Sequence, residues 1–146
     1  MFIRFLFLTL FFFVLMLSNE QLLGQSIHPG LSAEEREQYI QKALEFRKLG
    51  NVYQAIEQVD LILSAGPNDE GALMLKGDLM AQSKQYDLAS TIYQQLLDLD
   101  DQKIQAQINL SYALFMNNKP ELALKQAKSA WEECSGKLFQ CYAVEH

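Results

Sequence analysis

The sequence predicts an all-α chain built as three helical hairpins in tandem. Three observations predict it. Apolar residues recur every three or four positions through paired segments, the period of a helix with one buried stripe. Polar or glycine-containing turns separate the members of each pair, at Gly50-Asn51, Ser83 to Gln85 and Asn117-Asn118-Lys119. Small residues return at an interval of 34: counting from Arg36, Glu70 and Ile104, place eight holds Ala43, Gly77 and Ser111, and place twenty holds Ala55, Ala89 and Ala123. A small side chain on both helices where a hairpin crosses lets the two axes approach closely.

Taken in order, the first 24 residues read as an export signal. Arg4 precedes an apolar run of thirteen residues, Phe5 to Leu17, which only Thr9 interrupts. As a helix that run spans about 20 Å, short of the roughly 30 Å hydrocarbon core of a bilayer but of the right length for a secretory signal. Gly24-Gln25-Ser26 supplies small residues for cleavage, so the mature chain starts at Ile27, or at Gln25 if the cut follows Gly24. The alternative is an uncleaved anchor over residues 3–23, the one case in which a membrane is a partner. Leu22-Leu23-Gly24 resembles the start of a bacterial lipoprotein signal, but Gln25 stands where that family has cysteine.

A short arm, residues 25–31, leads to Ser32, which has Glu35 three places later, the spacing of a capping box. A helix with Tyr39, Ala43, Phe46 and Leu49 on its stripe, widened by Ile40 and Leu44, follows and stops at Gly50-Asn51. Its partner runs from Val52 to Ala65, burying Ala55, Val59, Ile62 and Leu63, and Gly66-Pro67 ends it. The same hairpin is expected from Asn68 to Leu99 and from Asp101 to about Cys134, with Asp98, Asp100 and Asp101 serving as N-cap and solvated charge for the third.

With these residues in place, the chain resembles the tetratricopeptide repeat family, whose 34-residue unit has small residues at places eight and twenty, aromatics at eleven and twenty-four, and proline near thirty-two. Place eleven holds Phe46, Met80 and Leu114, and place twenty-four holds Val59, Tyr93 and Ala127; at thirty-two only Pro67 conforms, while Asp101 and Ser135 depart. The resemblance covers residues 32–137, as units 36–69, 70–103 and 104–137, and implies a right-handed solenoid. It also implies a non-catalytic protein-binding module whose first helices line a concave groove. Places five and nine would then present Ile40, Leu44, Met74, Asp78, Ile108 and Tyr112, and places twelve and thirteen Arg47, Lys48, Ala81, Gln82, Phe115 and Met116. This groove reads as apolar at its C-terminal end, suited to a peptide or an amphipathic helix. Family members that clamp the carboxylates of a chaperone tail use lysine and asparagine at places five and nine, and Ile40, Leu44, Met74 and Ile108 do not match. Residues 27–31, or a second copy of the chain, are the alternative occupants.

Leucine is the family's choice at place seven, yet Lys42 and Lys76 stand there in the first two units and only Leu110 conforms. Their stems are expected along apolar neighbours with the charge in water, the alternative being a paired site for an acidic partner. Places three and ten face the preceding unit; Gln38 and Glu45 there mark the first repeat, whereas Ala72, Leu79, Ala106 and Ala113 expect a predecessor. At the other end Trp131, at place twenty-eight, faces a neighbour that is only begun. Residues 138–146 read as a capping helix or the start of a fourth repeat, with a Cys134–Cys141 disulfide as the expected fixture and two buried thiols as the alternative. The unsealed end also supports a second reading, a structural subunit or fragment of a longer assembly that self-associates there.

Twelve basic and eighteen acidic side chains give a net charge of −6, which repels polyanions and excludes nucleic acid. The two histidines, His28 and His146, sit near the mature N-terminus and at the last position, and no His-Glu-x-x-His, Gly-x-Ser-x-Gly or phosphate-binding loop occurs. The cysteine spacing is not Cys-x-x-Cys, against a thiol–disulfide enzyme. No catalytic residue, metal, cofactor or small-molecule substrate is expected; the partner is a protein.

Overall fold

The computed structural model describes residues 30–100 and 103–136. The stretch expected to be an export signal, the arm up to residue 29, residues 101–102 and the C-terminal ten residues lie outside them. Among the described residues there are six helices and no strand: α1 (Ala33–Lys48), α2 (Val52–Ala65), α3 (Glu70–Gln82), α4 (Tyr86–Leu99), α5 (Ile104–Met116) and α6 (Pro120–Gly136). None of them is long and apolar enough to cross a membrane. The substantial contacts are between consecutive helices, so the hairpins α1–α2, α3–α4 and α5–α6 stack in chain order.

Ser32 starts α1 as expected: its hydroxyl accepts from the Glu35 amide at 3.2 Å, and the Glu35 carboxylate accepts from the Ser32 amide at 2.9 Å. Each first helix ends in the same way. Gly50, Lys84 and Asn118, all at place fifteen, adopt φ of 79°, 63° and 59°. The amide one residue later reaches back to place eleven in each case, Asn51 to Phe46, Gln85 to Met80 and Lys119 to Leu114, at 2.8 to 2.9 Å. This is the Schellman closure, which requires a left-handed residue. Glycine adopts that conformation freely and asparagine tolerates it, but lysine does not. Lys84→Gly should therefore raise stability by about 0.5–1 kcal/mol, read as a higher urea midpoint at unchanged slope, with a smaller gain for Asn118→Gly.

Proline at the first position of α6 loses no helix bond, because that amide has no partner within the helix. The start of α5 departs from expectation. Its N-cap is Lys103, which makes no side-chain cap bond. Asp100 instead ends α4 and lies 3.5 Å from the Lys103 ammonium, and Asp101 lies outside the described residues.

Two apolar cores fill the seams between hairpins. The first gathers Ala43, Ala55, Val59, Ile62, Ala72, Leu75 and Leu79; the second runs from Leu73 and Met80 through Tyr93 and Leu96 to Ala113, Leu114 and Ala123. Leu63 and Ile56 are half-buried and touch both cores. Places three and ten behave as read: Ala72, Leu79, Ala106 and Ala113 are fully buried, while Gln38 and Glu45 face water.

The expectation that small faces small needs one correction. A methyl group on Gly77 would lie 2.5 Å from Cε1 of Tyr93, so the ring at place twenty-four demands glycine at place eight. The other units carry Val59 and Ala127 at place twenty-four and tolerate Ala43 and Ser111 at place eight. Size is conserved across the pair rather than at each position.

A charged staple closes each of the first two units. In the first, Arg36 at place one donates twice to Asp69 at place thirty-four, with Nη2 at 2.7 Å from Oδ1. In the second the charges are exchanged: Lys103 at place thirty-four meets Glu70 at place one, also at 2.7 Å. Asp69 does double duty, because its Oδ1 also accepts the Ala72 amide at 2.9 Å and so caps α3. Hydrogen bonds from Arg36 above all, then the Ala72 amide, hold the Asp69 carboxyl below its ordinary value of 3.8 against the opposing effect of burial. A carboxylate depressed in the fold adds stability above its unfolded value and loses it as the pH falls through the folded one. Asp69→Asn should therefore flatten the acid limb of a stability profile below about pH 4, measured by urea unfolding.

Candidate functional site

The inner faces of α1, α3 and α5 enclose an open cleft of about 780 Å³. Leu44, Arg47 and Lys48 of α1 form one wall, Asp78, Ala81 and Gln82 of α3 the floor, and Gln105, Asn109 and Tyr112 of α5 the other wall, with Tyr93 of α4 reaching in from behind. The two walls and the floor follow from stacking. Successive first helices lie side by side, so their places nine, which hold Leu44, Asp78 and Tyr112, line up across the seam.

The cleft is not the apolar groove expected from the sequence. At its base Asp78 Oδ1 accepts the Tyr93 hydroxyl at 2.7 Å and the Asn109 amide at 3.1 Å. Its Oδ2 lies 4.0 Å from Arg47, whose Nε donates to Gln82 at 3.2 Å. Burial first, and the bond to Asp78 second, push the Tyr93 hydroxyl far above its ordinary value, so it stays a proton donor. This network fixes the carboxylate in the floor, engages Gln82 and Asn109, and sets Lys48 and Gln105 beside the apolar surfaces of Leu44 and Tyr112. Tyr112 is oriented by an edge-to-face contact with Tyr86, ring centroids 6.3 Å apart.

Of the eight groove residues read from the sequence, Leu44, Asp78 and Tyr112 line the cleft together. Met74 lies beneath it, its sulfur 3.7 Å from the Asn109 amide, and Ile40 packs half-buried on the first core. Ile108, Phe115 and Met116 are exposed but are not part of the cleft wall. Gln105 and Asn109, at places two and six, were not among the expected positions. Place two is three residues before place five and place six three before place nine, so extending the stripe by one more helical step reaches both.

The two unusual lysines have partners within the protein. Lys76 Nζ meets Asp60 of α2 at 2.7 Å, and Lys42 Nζ lies 5.5 Å from the centre of the Tyr39 ring. They do not form a paired site for an acidic ligand, because each ammonium turns to its own neighbour. In the next seam Leu110 replaces the lysine and Gln94 replaces the aspartate, and a groove of about 460 Å³ floored by Leu110 and Leu114 lies open there.

Trp131 is exposed on α6, and Cys134 is half-buried one turn later, while its expected partner Cys141 lies outside the described residues. Among the described residues, no three His, Cys, Asp or Glu side chains gather in a way that could hold a metal ion.

No family model matches the sequence, and no curated protein matches it either. Solved structures do match. The TPR2B domain of yeast Sti1, solved in complex with pHsp70, is 14% identical with a TM-score of 0.68, over 77% of this chain and 90% of that one. The first TPR of Spaghetti (RPAP3), solved with the HSP90 peptide SRMEEVD, is 17% identical with a TM-score of 0.65, over 81% and 99%. The MamA RS-1 ArsTM double mutant is 22% identical with a TM-score of 0.63, over 70% of this chain, which spans 57% of that one. Hairpins in register, stacked in chain order and matched over most of their length by these solenoids, give this chain the tetratricopeptide repeat fold.

Proposed function

We propose that this chain is an exported, non-catalytic protein-interaction module whose concave cleft holds a peptide or helical segment of a partner protein. The observation that carries the reading is the cleft itself: about 780 Å³, open along its length, with apolar surface at Leu44 and Tyr112 beside amides and cations that suit a peptide backbone and its side chains. Two solenoids of the same fold were solved with pHsp70 and with an HSP90 peptide, which supports a peptide as the class of ligand. Export to the periplasm or out of the cell rests on the signal-like residues 1–24, with membrane anchoring through residues 3–23 as the alternative. An oxidising compartment would favour a Cys134–Cys141 disulfide.

Leu44→Lys combined with Tyr112→Ala changes two exposed side chains of the cleft and leaves both cores intact. The double variant should keep its helical circular dichroism and lose partner recovery in affinity capture from the exported fraction. Unchanged recovery would remove the cleft from the account. The exposed end at Trp131 favours a second reading, a structural subunit that self-associates, and the solution mass of the full chain separates the two.

A further inference from the structure

The open groove between the second and third hairpins shares no residue with the concave cleft. Its floor is Leu110 and Leu114 of α5, one rim is the α4 stripe from Ser90 through Gln94 to Asp98, and the other is Leu122 and Gln126 of α6. The seam between the first and second hairpins shows why it is open. At the places of Ser90 and Gln126 that seam has Ile56 and Ile92, both half-buried on the second core. At the places of Gln94 and Leu110 it has Asp60 and Lys76, which meet at 2.7 Å. Branched aliphatic side chains and a lysine–carboxylate pair therefore fill in one seam the position that lies open in the other.

The groove has two chemically different ends. Asn117 and Lys119, in the turn between α5 and α6, both reach Asp87 at the start of α4, so Leu114 and Leu122 lie at that end and Leu110 lies further toward Asp98. The first end is apolar, with Leu122 exposed. The second is negative. Asp98 stands in the last turn of α4, which holds no basic residue, so its carboxylate and the terminal carbonyls of the helix repel each other and both attract a cation. Gln94 donates to Asp98 at 3.1 Å but brings no charge. Lys103 is engaged by Glu70 and Asp100, and no ion pair among the described residues includes Asp98.

We propose that this groove is a second docking site, separate from the cleft, for a short amphipathic helix of a partner protein. The helix sets branched aliphatic side chains on Leu114 and Leu122 and a lysine or arginine against Asp98, the same chemistry that Ile56, Ile92 and Lys76 supply within the first seam. Ser90 and Asp98 are about 12 Å apart along α4, a distance that an apolar residue and a lysine two turns apart on one helix face can span. The net charge of −6 favours the approach of such a basic segment.

The test peptide is a fluorescently labelled alanine–glutamine helix of about fifteen residues, with two isoleucines one turn apart and a lysine two turns from the first. A twin carries glutamate in place of the lysine. Titration with the full chain, read by anisotropy, should show saturable binding of the lysine peptide at sub-millimolar concentration and about tenfold weaker binding of the twin. Asp98→Lys changes an exposed residue outside both cores and should invert that preference. Ser90→Ile with Gln126→Ile copies the first seam, and should fill the groove, abolish binding and raise the urea midpoint. Leu44→Lys with Tyr112→Ala should bind the lysine peptide as the unaltered chain does, which keeps failure of the cleft distinct from failure of this groove. Absence of saturable binding overturns the second site, and is the outcome if the chain's own residues or a second copy already fill it. Equal binding of the two peptides, a preference unmoved by Asp98→Lys, or loss of binding in the cleft variant overturns it as well.

Discussion

Replacing Gly77 with alanine destabilises the protein, although glycine to alanine within a helix ordinarily stabilises by about 1 kcal/mol. The added methyl would sit 2.5 Å from Cε1 and 2.9 Å from Cδ1 and Cζ of Tyr93. The ring has nowhere to go: it is buried in the second core, and its hydroxyl is held by Asp78 at 2.7 Å. Overpacking of this kind costs about 1–3 kcal/mol for a single methyl group. Gly77→Leu exceeds what a domain of this size can absorb and leaves the chain unfolded at 25 °C. The mechanism has its own control. Gly77→Ala with Tyr93→Val copies the Ala43 and Val59 pairing of the first unit, and the double variant should lose less than the sum of the single changes by about 1–3 kcal/mol in urea unfolding. Additive losses would mean that the two residues do not meet.

Leu79→Ala should be the second severe change, at about 2–5 kcal/mol. Leu79 is fully buried in the seam between the first and second hairpins, where no other element can collapse into the space it leaves. Because the hairpins touch mainly their neighbours in the chain, weakening one seam lowers cooperativity across it as well as total stability. Amide exchange is the measurement that distinguishes this from a uniform loss. Protection of α1 and α2 should fall much further than protection of α5 and α6. An equal fall across all six helices would show that the domain opens as one unit.

Most of the scaffold was legible in the sequence because it depends on local chemistry and on period. Ser32 and Glu35 announce a capping box, Gly50-Asn51 a left-handed stop, and the alanines 34 apart the crossing points of hairpins. Gln38 and Glu45 against Ala72 and Leu79 even showed which hairpin comes first, since a polar side chain at a stacking place has nothing to stack on. What periodicity could not supply is the identity of the neighbour. It placed Gly77 at a tight crossing but set it against Ala89 rather than Tyr93, because the ring arrives from one turn further along α4. It placed Ile108 and Phe115 in the groove; at the same places Met74 and Ala81 pack on the second core, with Ala81 also in the cleft floor, whereas Ile108 and Phe115 are exposed outside the cleft wall.

The polar floor of the cleft is not legible in the sequence for a related reason. A helix stripe gives an angle, and the residues that share a cleft are chosen by how three stripes meet across two seams. Asp78 read as one acidic residue among apolar neighbours. In the fold it is the acceptor that ties Tyr93 of α4 and Asn109 of α5 to α3, and its second oxygen faces Arg47 of α1. A carboxylate this well satisfied serves the wall more than a ligand. The surface left for a partner is the strip from Leu44 and Lys48 to Tyr112.

Photo-crosslinking from position 112 tests the central claim most directly. With a photoreactive amino acid in place of Tyr112 in the full chain, irradiated in the cells that produce it, the account predicts adducts to a distinct protein. The same residue in place of Glu57, exposed on α2 and absent from the cleft wall, should give none of them. Identical adducts from both positions, or adducts at position 112 only to the chain itself, would contradict a partner held in the cleft.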